Sequence, residues 1–185
     1  DKFANLNTSE LHFNLLVKSN DDAVFFHLFT GAENRFRVVL EDITDAENPI
    51  IHWQGFLLPE QFSEPFKNSN FFVDFVATDG IGLLKNKVLA ASFYQDKKSV
   101  LEILQRCLLQ TGLNFPLLFA PAVQNANFDL NYLDLEVNTA PYIKDDKKKS
   151  SYAILTGILE AIGCKLFQYK QQWIVVGIKQ LTSNR

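Results

Sequence analysis

Methionine is absent from the 185 residues, even at the first position, which leads us to expect a fragment or a processed form. Cysteine occurs twice, at Cys107 and Cys164, without a CxxC spacing; this is too few for a disulfide framework and predicts two small buried thiols. Histidine occurs three times, at His12, His27 and His52. All three fall in expected strands, far apart, with no HxH or HExxH pairing, so neither a zinc site nor a catalytic imidazole is expected. No run of about 18 apolar residues exists, which excludes a membrane-spanning helix. The opening Asp1 to Asn5 does not read as a signal peptide, although one removed before this start is left open. Neither sign of charge dominates: 18 Lys and Arg face 21 Asp and Glu. With a pI near 5.6 and no basic stripe, a nucleic-acid-binding role is not expected. At 47% hydrophobic and 21% charged residues, disorder is excluded as well.

What the chain has in quantity is aromatic bulk, with 17 Phe, 5 Tyr and 2 Trp, a load that suits strands and large buried surfaces. Charge is unevenly divided. Residues 1–94 carry 7 Lys and Arg against 13 Asp and Glu, and residues 95–185 carry 11 against 8. The hydropathy pattern changes at the same place. Before it, apolar residues alternate with period two: Leu11, Phe13, Leu15 and Val17; Phe36, Val38 and Leu40; Phe71, Val73, Phe75 and Ala77. Val24 to Phe29 and Ile50 to Leu58 also read as strands, and turn-forming clusters such as Asp45 to Pro49 separate the runs. No helical periodicity is evident before residue 95. Five or six short strands at this spacing predict an antiparallel barrel or sandwich over residues 1–94.

The second part, residues 95–185, contains a repeat. Ser99, Ile103, Leu104, Leu108 and Gly112 recur as Ser150, Ile154, Leu155, Leu159 and Gly163, in the frame S-x3-I-L-x3-L-x3-G. Each Ser suits a helix N-cap, the Ile and Leu residues share one stripe, and each Gly suits a left-handed helix end. Strands are expected after each helix, at Leu113 to Phe119 and Cys164 to Tyr169, the latter turning back into Trp173 to Ile178. Asn127 to Val137 reads as a strand or a pair of them, and Asp145 to Lys149 as a solvated loop. The fold class is therefore α+β: an antiparallel barrel-like domain over 1–94, then an α+β domain with an internal helix-strand duplication over 95–185.

No reactive constellation stands out. There is no Gly-x-Ser-x-Gly elbow. Cys107 falls on the inward stripe of its helix, where a thiolate is poorly stabilised. The acidic turn of Glu41, Asp42, Asp45 and Glu47 lacks the spacing and central Gly of a calcium loop. An enzyme would need a cleft gathering His52, Asp74 and Asp79. No catalytic residue, cofactor or metal ligand is assigned. In Ala77 to Lys85 the two glycines fit neither a dinucleotide fingerprint nor a phosphate loop. A turn fits better: Asp79 can bond backbone N–H groups two residues on, Gly80 can supply a positive φ, and Leu83 and Leu84 can pin the exit to the core.

That nine-residue run resembles the A-T-D-G-x-G-L-L-K signature of phage-tail-like proteins from Bacteroidetes genomes and their prophages. Trp53 to Glu60, with Glu64 to Phe66, is similar to the same family's W-x-G-F-x-x-P…E-P-Y/F stretch. Cys164 to Gln168 with Trp173 to Val175 resembles its later strand pair. Ile81 and Phe66 depart from the usual Leu and Tyr and keep the apolar bulk. More distantly, the layout resembles baseplate hub proteins of contractile tails and the hub part of VgrG-type spikes. The resemblance implies a structural, non-enzymatic virion protein, self-associating into trimeric rings and touching other tail proteins. Its place would be a tail or tail-like particle assembled in the bacterial cytoplasm. It also implies that Trp53, Gly55, Asp79, Gly80 and Gly82, with Trp173 in the later strand pair, determine the fold rather than bind a ligand. The other reading is a carbohydrate or cell-surface ligand module using exposed aromatics such as Trp53 or Trp173. Both tryptophans sit in apolar strand runs, which predicts that they are core.

Overall fold

The computed structural model describes residues 4–18, 27–28, 34–63, 71–119, 134–144 and 147–178. The chain divides into two compact units, one formed by Ser9–Asp79 and the other by Asp1–Thr8 with Gly80–Arg185. The break therefore comes earlier than the change of hydropathy pattern at 94/95, and the first residues belong with the C-terminal unit. Short 3-10 turns at Gly82–Asn86 and Ala91–Gln95 occupy the stretch between the two positions. They are too brief to leave a helical period in the sequence.

The Ser9–Asp79 unit is a curled antiparallel sheet of four strands, β1 (Glu10–Val17), β2 (Arg37–Asp42), β3 (Ile50–Ser63) and β4 (Phe71–Thr78), in the order β1-β4-β3-β2. β1 and β4 run in continuous register from Glu10 opposite Thr78 to Val17 opposite Phe71. The alternation in β4 holds: Phe71, Val73, Phe75 and Ala77 are buried, while Phe72 and Asp74 face water. Phe13 stacks on Phe75 with ring centroids 5.6 Å apart, and Val17, Leu57, Phe71, Val73 and Phe75 form the core. β2 and β3 slip register between Leu40 and Glu41. The expected strand at Val24 to Phe29 lies outside the described residues except for His27 and Leu28. These two form a turn, so His27 is not in a strand there.

The C-terminal unit confirms both helices. α1 (Val100–Leu109) is capped by Ser99, whose hydroxyl accepts the Glu102 N–H, and α2 (Ser151–Ala161) by Ser150, which accepts the Ala153 N–H. Ile103, Leu104 and Leu108 are buried, as are their counterparts Ile154, Leu155 and Leu159. Gly112 and Gly163 both take positive φ, of 86° and 65°. Gly163 directly follows the last cap of α2, whereas Thr111 intervenes after α1 and ties its hydroxyl to the Leu108 carbonyl.

Around the helices lie β5 (Lys97–Ser99), β6 (Leu117–Phe119), β7 (Glu136–Asn138), β8 (Ile143–Lys144), β9 (Lys147–Lys148), β10 (Cys164–Tyr169) and β11 (Gln172–Gly177). β5 pairs with β7, and β8 with β9, so part of the expected solvated loop is strand. β10 and β11 form the expected hairpin, with Lys170 and Gln171 at its tip, and β6 adds to β11 in parallel. Only Leu117 to Phe119 of the expected 113–119 strand is in a ladder. Of the expected 127–137 strand, residues 127–133 lie outside the described residues. The duplication thus extends beyond the helices, since each is entered from a short lysine-bearing strand and left toward one sheet of order β10-β11-β6.

Candidate functional site

Trp53 and Gly55 are two apart on β3 and so project from one face of the sheet. A Cβ on Gly55 would drive into the Trp53 ring and the Thr78 carbonyl, lying 2.8 Å from the carbonyl carbon. Glycine is required here because the indole folds over this position and the Thr78 carbonyl of β4 approaches it too. The indole is thereby aimed at Ser9, and Trp53 Nε1 donates to Ser9 Oγ over 2.9 Å. Ser9 Oγ donates in turn to Asp79 Oδ2 at 2.6 Å, and the Ser9 backbone N–H donates to the same oxygen at 2.8 Å. The Asp79 N–H returns a bond to the Ser9 carbonyl. Asp79 is completely buried. The chain Trp53–Ser9–Asp79 therefore locks the entry of β1 to the exit of β4. A buried carboxylate is tolerable there because charge-assisted donors meet it.

Gly80 follows with φ +80°, where a side chain would be strained, and its Cβ would meet the Thr111 carbonyl oxygen at 2.9 Å. Gly82 differs. Its φ is ordinary and a Cβ there would stand in open space, so nothing in the geometry demands glycine. Ile81 and Leu84 are fully buried, whereas Leu83 is only partly so. Trp173 lies far along the chain in β11, 1% exposed, opposite Gln168 on one side and Leu117 on the other. Of the two tryptophans expected to be core, Trp173 is buried and Trp53 is half-buried.

The six residues singled out from the sequence thus fall into two groups. Trp53, Gly55 and Asp79 act on one network in the sheet unit, while Gly80, Gly82 and Trp173 belong to the C-terminal unit. Ser9, which joins Trp53 to Asp79, was not anticipated. A lone Ser ahead of a strand carries no signal of a partner 44 or 70 residues away.

The remaining titratable groups are dispersed. His12 lies 3.5 Å from Glu10 and His52 4.0 Å from Asp42, all on exposed strand surface. Side-chain and backbone bonds from Thr44 hold the Asp42 carboxyl below its usual value. Those from Asn48 and Glu47 do the same for Asp45. The acidic turn is thus a pair of self-capped Asx turns. Burial pushes the Cys107 thiol up to about 12 and raises the Cys164 thiol as well. Neither cysteine is poised as a nucleophile. Among the described residues no three His, Cys, Asp or Glu side chains converge to hold a metal ion. No described helix is long and apolar enough to cross a membrane. Compared with known protein families and with characterised proteins, the chain matches none.

Proposed function

We propose that the protein is a structural component of a phage tail or tail-like assembly of the baseplate-hub kind, acting through contacts with copies of itself and with other tail proteins. The observation that carries this reading is the open sheet. Its outer strands β1 and β2 have no strand partner on their far sides among the described residues. They keep apolar side chains in water even at positions whose parity points inward. Leu15 shares the face of Phe13 and Val17 yet is exposed, and Leu40 shares the face of Phe36 and Val38 yet is 45% exposed. Ile43 at 71% and, on the opposite face of the sheet, Phe72 at 58% are exposed as well. Such edges are a hazard for a free monomer and a resource for an assembly. Because β1 and β2 are different surfaces, pairing one copy's β1 with the next copy's β2 is a heterologous contact, the kind that closes into rings.

The carbohydrate reading relied on exposed tryptophans. Trp173 offers no face to a sugar, and the Trp53 N–H is already committed to Ser9. Light-scattering mass across a concentration series tests the assembly. The expected result is a trimer or larger ring built from 21.1 kDa subunits. A Leu40→Lys edge substitution is expected to return the monomer with its circular dichroism unchanged. A 21.1 kDa species at every concentration would overturn the reading.

A further inference from the structure

The two units carry opposite charge. Ser9–Asp79 holds 4 Lys and Arg against 12 Asp and Glu, whereas the rest of the chain holds 14 against 9. In the sheet unit, acid collects at the tip joining β2 to β3, where Glu41, Asp42, Asp45 and Glu47 are all exposed. Hydrogen bonds fix the shape of this tip. Thr44 donates from its N–H and its hydroxyl to Asp42 Oδ1 at 2.9 and 2.6 Å, and the Glu47 N–H and Asn48 amide donate to Asp45 at 3.1 and 3.2 Å. His52 stands 4.0 Å from Asp42, and among the described residues no Lys or Arg pairs with any of the four.

In the C-terminal unit, positive charge gathers around β9 and the start of α2. The ammonium groups of Lys148, Lys149 and Lys85 lie 5.7, 5.7 and 5.2 Å from the ring centroids of Tyr94, Tyr142 and Tyr152. Hydrogen bonds draw these segments together: the Lys149 N–H donates to the Tyr142 carbonyl, the Ser151 N–H to the Lys87 carbonyl, and the Tyr94 hydroxyl to the Lys149 carbonyl. Lys97, three residues after Tyr94, and Lys147, next to Lys148, are exposed too. Lys98 has Asp96 and Glu102 as partners, but among the described residues no carboxylate pairs with Lys85, Lys97, Lys147, Lys148 or Lys149. Even with Asp145 and Asp146 counted, residues 144–149 hold 4 Lys against 2 Asp. A lysine laid on a tyrosine ring keeps its N–H donors free while its stem rests on apolar surface, so it has less freedom to lose when a carboxylate arrives.

We propose that this lysine face docks on the acidic β2–β3 tip of a second copy in a head-to-tail, salt-sensitive contact. The tip offers what the face needs, four carboxylates held in one shape and unpaired with Lys or Arg. It also continues β2, so the inference rests on the assembly reading and deepens it: the strand edge supplies adhesion, and charge decides which surface meets which. A nucleic acid suits the face less well, because the acidic excess of Ser9–Asp79 repels its phosphates.

Charge reversal on the full chain tests it, with light-scattering mass read at about 0.05 M and about 0.5 M salt. One variant carries Lys147→Glu and Lys149→Glu. The other carries Glu41→Lys and Glu47→Lys, which spare the side chains that fix the tip. All four positions are exposed, so circular dichroism should stay unchanged. The parent should associate about tenfold or more tightly at the lower salt, each variant alone should lose that gain, and their equimolar mixture should recover it. A parent that assembles equally at both salts, with both variants assembling like it, would overturn this contact and leave the edge reading standing. A parent that is monomeric at both salts would overturn both. A mixture that fails to recover would show that the two surfaces do not meet. Binding of a labelled single-stranded oligonucleotide that Lys147→Glu with Lys149→Glu abolishes would assign the face to nucleic acid instead, against the proposal.

Discussion

Replacing Gly55 by Ala is the sharpest test of the Trp53–Ser9–Asp79 lock. The added methyl would sit 2.8 Å from the Thr78 carbonyl carbon, where carbon atoms prefer about 3.5–4.0 Å, and closer still to the Trp53 ring. The carbonyl belongs to β4, which is paired along its length with β1, so it cannot retreat without disturbing that register. The indole is the softer neighbour, but moving it breaks the bond from Nε1 to Ser9. Overpacking of this kind costs about 1–3 kcal/mol. A lost hydrogen bond adds about 0.5–1.5 kcal/mol. Gly55→Ala should therefore destabilise the sheet unit by about 2–4 kcal/mol, with the melting point falling by about 4–8 °C for each kcal/mol in a unit of this size. Urea unfolding followed by circular dichroism measures the loss. The emission of Trp53, isolated in a Trp173→Phe background, reports whether the indole has moved. In a Trp53→Leu background the Ala penalty should shrink without vanishing, because the Thr78 carbonyl remains. A loss below about 0.5 kcal/mol with Trp53 emission unchanged would refute the argument.

Other outcomes follow from the same structure. Asp79→Ala, which leaves the Ser9 donors without their acceptor, should cost about 1.5–3 kcal/mol in urea unfolding, and Asp79→Asn less, because one acceptor oxygen survives. Gly82→Ala, with open space at its Cβ, should stay within about 0.5 kcal/mol of the parent, so a severe loss would show that the turn is tighter than it looks. At the β10–β11 tip, Lys170 and Gln171 hold positive φ of 46° and 58°. Changing the pair to Asn-Gly should raise stability by about 1 kcal/mol or more, read as a higher melting point. For Cys107 the sign runs toward alkali. Its folded value is raised from 9.0 to about 12, so the folded chain retains a proton that the unfolded chain releases. That stabilisation is complete below pH 9 and declines toward pH 12 at about 1.4 kcal/mol per unit. Cys107→Ala should flatten the decline, and identical pH profiles for the two proteins would refute the assignment.

The helices were legible because each is written in adjacent residues. A Ser cap, an apolar stripe at helical spacing and a glycine with positive φ all fall within one short window, and the structure uses each as the pattern predicts. β4 was legible for the same local reason, since alternation fixes which side chains face the core. The edge strands were less so. Alternation in β1 and β2 marks Leu15 and Leu40 as inward, but inward burial also needs something opposite, and the sequence does not say where the sheet ends.

The same distinction explains the site. Gly55, Gly80 and Gly82 look alike in the sequence; the approach of Trp53 and Thr78 to the first, and the positive φ and the approach of Thr111 at the second, set them apart from Gly82. Asp79 was read as bonding its own turn, because nearby N–H groups are the acceptable partners that local reasoning can see. Its carboxylate receives Ser9, from the far end of the sheet unit. A bond of that span exists only after β1 has paired with β4, so it is a consequence of the topology and stabilises the topology in return. Asp79 and the Trp53–Gly55 pair are thus one device, because Gly55 makes room for the indole that reaches Ser9. Disrupting either end should loosen the other, which makes Gly55→Ala and Asp79→Ala coupled substitutions whose double mutant loses less than the two singles together.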